Sequence, residues 1–153
     1  MVNVAVALGS NLGDREALLR QAASSLATVL HDIRLSPLIE TEPVGVGEQP
    51  PFLNGALTGR TSLSARALLE HLLATETQFG RRRPHPGAAR TLDLDLILYG
   101  DAVIDEPPTL VVPHPRFRER QFVLEPLAAI AGDWIDPVSG RTIGELWGMV
   151  KDQ

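Results

Sequence analysis

The chain of 153 residues contains no cysteine. Disulfides, thiolate zinc sites, iron–sulfur clusters and a cysteine nucleophile are thereby excluded. Lysine is almost absent: of the 14 Lys and Arg residues, only Lys151 is Lys. A Walker-type phosphate loop needs a Lys directly after its glycines, so that nucleotide site is excluded too. Aromatics make up only 5% of the chain, which singles out the few that sit beside polar motifs. No apolar run approaches ~20 residues, so no bilayer span is expected. Met1 to Leu8 carries no basic leader region and reads as a strand, so no signal peptide is expected. The expected location is cytoplasmic.

What is present is an ordinary globular balance, 44% hydrophobic and 22% charged. We expect a single domain over residues 1–153, long enough to bury roughly two-thirds of its unfolded surface. The net charge of −5 argues against a general nucleic-acid or anionic-membrane binder. The bias of its cations toward Arg favours a local phosphate frame, because guanidinium is a better fork for phosphate oxygens than ammonium.

Val2, Val4, Val6 and Leu8 alternate with smaller residues and predict a strand. Gly9-Ser10-Asn11-Leu12-Gly13 predicts a tight turn, and Asp14 a cap for a helix with Leu19, Ala22, Ala23, Leu26, Val29 and Leu30 on its apolar stripe. Ile33 to Thr41 predicts a second strand, with Pro37 marking an edge or bulge. Pro43 to Pro51 is loop and Phe52 to Thr61 a third strand. Ser64 caps a second helix that Gly80 ends as its C′ residue. Arg81 to Arg90 is a basic loop, and Thr91 to Tyr99 a fourth strand. This β-α-β-β-α-β order predicts an α+β, ferredoxin-like antiparallel sheet with two helices on one face. The remainder predicts an extended piece near Val111, a helix opening at Pro126, and a last helix over Thr142 to Val150.

The sharpest chemical signal is Thr91-Leu92-Asp93-Leu94-Asp95-Leu96-Ile97-Leu98. Strand alternation sends Leu92, Leu94, Leu96 and Leu98 to one face and Thr91, Asp93, Asp95 and Ile97 to the other. Two carboxylates then project side by side, Cα atoms roughly 6–7 Å apart. Asp is disfavoured in strands, and Mg²⁺ ions would relieve the mutual repulsion. Glu76 falls on the apolar stripe of its helix, where it either caps the core or supports an acidic site. Arg81, Arg82, Arg83 and Arg90 put four cations in one loop that contains no acid, beside the acidic strand. Pro113-His114-Pro115-Arg116-Phe117-Arg118-Glu119-Arg120-Gln121-Phe122 adds one His, three Arg and two Phe. His31, His71 and His85 show no ligand spacing. Phe52 and Asn54 share a strand face, a plate and an amide suited to a flat heterocycle.

In this order the motifs resemble the 6-hydroxymethyl-7,8-dihydropterin pyrophosphokinase family. The likeness runs from Ala7-Leu8-Gly9-Ser10-Asn11-Leu12-Gly13 through Gln49-Pro50-Pro51-Phe52-Leu53-Asn54, Gly80-Arg81, Arg90-Thr91-Leu92-Asp93-Leu94-Asp95 and Val112-Pro113-His114 to Phe122-Val123-Leu124-Glu125-Pro126-Leu127. The resemblance implies transfer of pyrophosphate from ATP to a dihydropterin hydroxymethyl group with release of AMP, in folate biosynthesis. It implies that Asp93 and Asp95 hold two Mg²⁺ ions, beside which the stripe position of Glu76 is expected to supply a supporting carboxylate. Phe52 and Phe122 would sandwich the pterin, with Asn54, Thr41 and backbone near Val44 on its edge. His114, Arg120 and Arg83 would contact ATP, and Arg81 and Arg90 would act from the loop during transfer. The partners implied are small molecules, with no nucleic acid and no membrane, and the chain is expected to be a monomer. Two places depart from the family pattern: Gly87-Ala88-Ala89 stands where an aromatic-containing Trp-Gly-Pro often precedes the loop-closing Arg, and Leu73 stands where many members carry Gln.

Two other readings remain open on sequence. A nucleotidyltransferase would join a Gly-Ser motif to Asp-x-Asp, but here Ser10 and Asp93 lie far apart in sequence. An RNA-binding ferredoxin-like module would show exposed aromatics on a basic sheet face, where this chain carries an acidic pair.

Overall fold

The structure is a computed structural model and describes residues 1–11, 13–41, 51–80 and 92–153. Its elements are β1 (Val2–Ser10), α1 (Arg15–Ser25), β2 (His31–Leu35), β3 (Ile39–Thr41), β4 (Phe52–Thr61), α2 (Ala65–Phe79), β5 (Asp93–Tyr99), β6 (Ile104–Glu106), β7 (Leu110–Val112), α3 (Gln121–Ala131) and α4 (Ile143–Val150). The main sheet runs β2-β4-β1-β5, with β3 continuing the pairing along β4, and its pairs are antiparallel. This is the expected ferredoxin-like order. The Asp14 carboxylate accepts the Ala17 amide and the Ser64 hydroxyl accepts the Ala67 amide, so both predicted caps are in place.

The central strand β1 is covered on both faces. Val4, Val6 and Leu8 join Leu57, Leu94 and Leu96 beneath α1 and α2, packed by Leu19, Leu26, Leu68 and Leu72. On the opposite face Ala5, Ala7 and Ala56 meet Phe117, Val123, Leu124 and Leu127, with Ile143 and Leu146 of α4 behind them. The small residues of this second face let α3 approach the sheet closely.

Four expectations are corrected. Leu98 belongs to the second core, not to the Leu92–Leu96 face. The β1–β5 register slips between Ala5 and Val6, and the extra residue, Ile97, turns the strand over. The stretch Ile33 to Thr41 is two strands, because Ser36-Pro37-Leu38 interrupts pairing: Pro37 offers no N–H, and the Ser36 hydroxyl takes the Ala56 amide instead. The third helix opens at Gln121, five residues before Pro126. An interior Pro disfavours a helix by about 3 kcal/mol, but Val123, Leu124 and Leu127 are buried, each contributing roughly 1.5–3 kcal/mol. Gly80 is the C-cap itself at φ −135°, its N–H on the Glu76 carbonyl. The extended piece near Val111 is β7, which pairs with β6, a strand that has no clear alternation to announce it.

Among the described residues no helix is long and apolar enough to cross a membrane.

Candidate active site

Three strands set the site. In the sheet register Gly9 lies opposite both Asn54 on β4 and Asp93 on β5. Ala7 lies opposite Ala56 and Asp95 in the next row. Residues in one register row share a face, so the amide of Asn54 and the two carboxylates project to the same side, across a floor with almost no side chains. Two strand spacings separate the Asn54 and Asp93 backbones, roughly 10 Å. The floor is flat of necessity: a Cβ on Gly9 would lie 2.9 Å from Asn54 Oδ1.

At one end of this floor, Asn54 is buried and its Nδ2 donates to Thr41 Oγ1 at 2.6 Å. Thr41 pairs with Phe52, and Phe52 lies two residues before Asn54, hence on the same face. Phe122 stands in the first turn of α3, 39% exposed, with the Arg120 guanidinium 5.7 Å from its ring centre. The helix that carries it packs over β4 and β1. Asn11, the residue after β1, is buried, and its Oδ1 has no hydrogen-bond partner among the described residues. Its place in a turn motif gave no sign of that burial.

At the other end, β5 is an edge strand, and Asp93 and Asp95 are half-buried on it. Glu76 on α2 is 3% exposed and its Oε2 accepts the Leu94 amide at 2.7 Å. The stripe position of Glu76 therefore brings a carboxylate to the strand residue between the two Asp. His114 follows β7, and its amide donates to the Ile97 carbonyl at 3.0 Å. Its Nδ1 accepts the Arg116 amide at 3.2 Å, which in the neutral ring leaves the proton on Nε2. Burial draws the His114 imidazole below its ordinary range; the Asp95 charge opposes this, and the Arg120 and Arg116 guanidiniums add to it.

A cleft of about 300 Å³ opens along the β5 edge. Asp95, His114 and Glu76 are among its polar lining, and Leu69, Leu73 and Val111 among its apolar lining. Its size and mixed lining suit a small ligand with one flat apolar part and one charged part. The Thr109–Val111 wall was not singled out from sequence: β7 has only three residues, and of its neighbourhood only Val112-Pro113-His114 stands out as a motif.

Arg81, Arg83, Arg90 and Val44 lie outside the described residues, as does Thr91.

Asp93 and Asp95 offer hard oxygen donors. Among the described residues no three His, Cys, Asp or Glu converge as a metal cage. Mg²⁺ suits so sparse a set, because it keeps water and substrate phosphates as ligands beside one or two carboxylates. The residues present thus fit Mg²⁺ arriving with a polyphosphate.

The family model described as 7,8-dihydro-6-hydroxymethylpterin-pyrophosphokinase (HPPK) matches residues 5–132. The chain belongs to the HPPK family. It is 46% identical over 143 residues to the 2-amino-4-hydroxy-6-hydroxymethyldihydropteridine pyrophosphokinase of Synechocystis sp., covering 92% of this chain and 72% of that one. It is 46% identical over 133 residues to the enzyme of the same name from Bacillus subtilis, covering 85% and 79%. Among solved structures, wild-type HPPK-DHPS of Plasmodium falciparum superposes with a TM-score of 0.70 at 14% identity. An HPPK-DHPS in complex with substrates gives 0.77 at 12% identity. Each alignment covers 97% of this chain but only 43% of the longer chain, and at these identities it speaks for the HPPK fold alone.

Proposed function

We propose that this HPPK-family chain transfers the pyrophosphoryl group of ATP to the hydroxymethyl group of 6-hydroxymethyl-7,8-dihydropterin, releasing AMP, as a step of folate biosynthesis. The observation that carries the reading is the shared face: the Thr41-supported Asn54 amide at one end of the Gly9–Ala7 floor, and Asp93 with Asp95 at the other. A flat heterocycle with an acceptor–donor edge suits the first end, and a polyphosphate the second.

In this reading Phe52 and Phe122 stack on the pterin ring and Asn54 bonds its edge, fixing where the hydroxymethyl oxygen lies. Thr41 holds the Asn54 amide in place, with backbone near Val44 alongside. The adenine enters the apolar part of the β5 cleft, against Leu69 and Leu73. His114 and Arg120 bind phosphate oxygens, Nε2–H of the neutral imidazole donating without a net charge. Asp93 and Asp95 would hold Mg²⁺, which when bound would offset the negative charge of the phosphates and make the phosphoryl group under attack more electrophilic. Glu76 fixes the backbone between those two acids. Arg83 is assigned to ATP, and Arg81 and Arg90 to the charge that develops during transfer. No side chain need form a covalent bond to substrate, because alignment and charge compensation can carry phosphoryl-type transfer. The chain works as a monomer on two small molecules.

The test is product identity. Incubation with ATP, Mg²⁺ and the dihydropterin is expected to release AMP in step with pterin consumed. ADP, pyrophosphate, or no pterin-dependent turnover would overturn the reading.

A further inference from the structure

The segment from His114 to Phe122 carries three of the assigned side chains, but only its last two residues, in the first turn of α3, belong to an α-helix or strand. Inside it lies one short 3-10 turn, Phe117–Glu119. Its bonds are of the i to i+3 kind, at 3.4, 3.1 and 3.2 Å, a geometry poorer than that of an α-helix. Phe117 anchors it in the second core at 0% exposure, but a single ring does not fix orientation around itself.

The missing constraint comes from the chain beyond residue 132, where the family match ends. Arg118 donates from both Nε and a terminal nitrogen to the two oxygens of Asp136, the second bond at 2.8 Å. Its guanidinium also lies 4.7 Å from the Phe117 ring centre. Asp136 is 0% exposed and is itself immobilised. It accepts the Val138 and Ser139 amides at 3.0 and 3.3 Å and the Ser139 hydroxyl at 2.7 Å. Its own amide and carbonyl close the turn that enters α4, bonding the Arg141 carbonyl and the Gly140 amide. A second tie lies three residues on, where Gln121 Nε2 donates to the Val150 and Gln153 carbonyls at 2.9 and 3.1 Å.

A buried ion pair is a weak source of net stability, since a packed apolar pair often serves as well. What a bidentate fork supplies is a fixed angle and distance. We propose that Arg118 and Asp136 are positioning residues whose fork sets the 114–122 segment, so that His114, Arg120 and Phe122 meet their substrates in one fixed arrangement. The proposal rests on the pyrophosphokinase reading of those three residues. His114 lies four residues before the fork, Arg120 two after and Phe122 four after. His114 stays tied to β5 through its amide and Phe122 rides on α3, so releasing the fork loosens the turn that joins them and lets the three side chains shift relative to one another. A shift of about 1 Å at reacting groups can lower turnover by roughly 100-fold.

The experiment compares Arg118→Met, Asp136→Asn, the two combined, Arg118→Lys, and the control Thr142→Ala. The control breaks the capping box of α4, Thr142 with Glu145, without touching the fork. All are assayed at a temperature where circular dichroism shows them folded. In each fork variant kcat is expected to fall roughly 10- to 100-fold. The combined variant should lose no more than the worse single change, as for two residues acting as one unit. Arg118→Lys, which keeps the charge but loses the fork, should recover only part of the loss. Thr142→Ala should lose melting temperature while keeping kcat and both KM values within about twofold. Independently of turnover, amides between 114 and 120 should exchange with solvent about tenfold faster in the fork variants. Folded fork variants with wild-type kinetics and wild-type exchange would overturn the proposal. So would losses that multiply in the combined variant, or fork variants that fail to fold where the control folds, since the pair would then serve folding alone. If the wild-type protein makes no AMP, the pyrophosphokinase reading fails. The exchange data then decide whether the fork sets the segment.

Discussion

The buried Glu76 carboxylate accepts the amide of Leu94, at 2.7 Å, on the residue that separates Asp93 from Asp95. Because β5 is an edge strand, that amide has no neighbouring strand among the described residues to bond on its outer side, and a side chain from α2 takes the place of one. Glu76→Ala leaves the amide buried without its acceptor, an expected loss of about 1–3 kcal/mol by urea denaturation. Glu76→Gln keeps an oxygen of the same reach and should retain more than half of that stability. Turnover should follow the same order, because the strand that spaces the two Asp is what loosens.

Asp93 and Asp95 have the opposite profile. They are half-buried, so replacing either is expected to leave the fold intact. Asp95→Ala should leave the circular dichroism spectrum unchanged while AMP release falls by roughly 1,000-fold or more, several kcal/mol of lost charge compensation. Retained turnover with full Mg²⁺ dependence would remove Asp95 from the metal-binding role.

Gly9 carries no functional group, yet its hydrogen is predicted to set substrate affinity. A Cβ there would meet Asn54 Oδ1 at 2.9 Å, and Asn54 can yield only by leaving Thr41. Gly9→Ala should therefore raise KM for the dihydropterin about tenfold or more, while KM for ATP stays within about twofold. A matched rise in both would point to a general distortion of the sheet.

Strands β1, β4 and β5 and the N-caps of α1 and α2 were legible in the sequence because their signals are local. Asp14, Ser64 and the Val–Leu alternation of β1 each act within a few residues. The acidic pair was legible for the same reason, since alternation alone puts Asp93 and Asp95 together. What escaped were features set by distant contacts. Leu98 changes face through a register slip against β1. Pro126 sits inside α3 because its neighbours pack on the sheet. The apolar wall at Thr109–Val111 exists only because β6 and β7 fold back beside α2. The Arg118–Asp136 fork joins residues with no shared motif, and nothing in Trp134-Ile135-Asp136-Pro137 marks the Asp as wholly buried.

That burial makes acid stability a direct readout of the fork. Burial by itself would raise the Asp136 pKa. The bonds from Arg118, the Ser139 hydroxyl and the Val138 amide, with the Arg118 charge, outweigh it and hold the carboxyl well below the usual carboxylate range. A folded-state pKa below the unfolded value of about 3.9 means the unfolded chain binds the extra proton, so this contribution is complete above that value and fades as pH falls below it. Asp136→Asn removes it. At neutral pH the variant should be less stable by about 3 kcal/mol, the lower end for breaking a buried pair, because the Arg118 side chain remains 26% exposed and can turn to water. Between about pH 4 and pH 2 the wild-type protein should lose up to ~1.4 kcal/mol per pH unit more than the variant. Urea midpoints measured across that range should therefore converge as the solution is acidified. Parallel curves would mean that Asp136 titrates alike in both states, and that its carboxylate is not held by the contacts described.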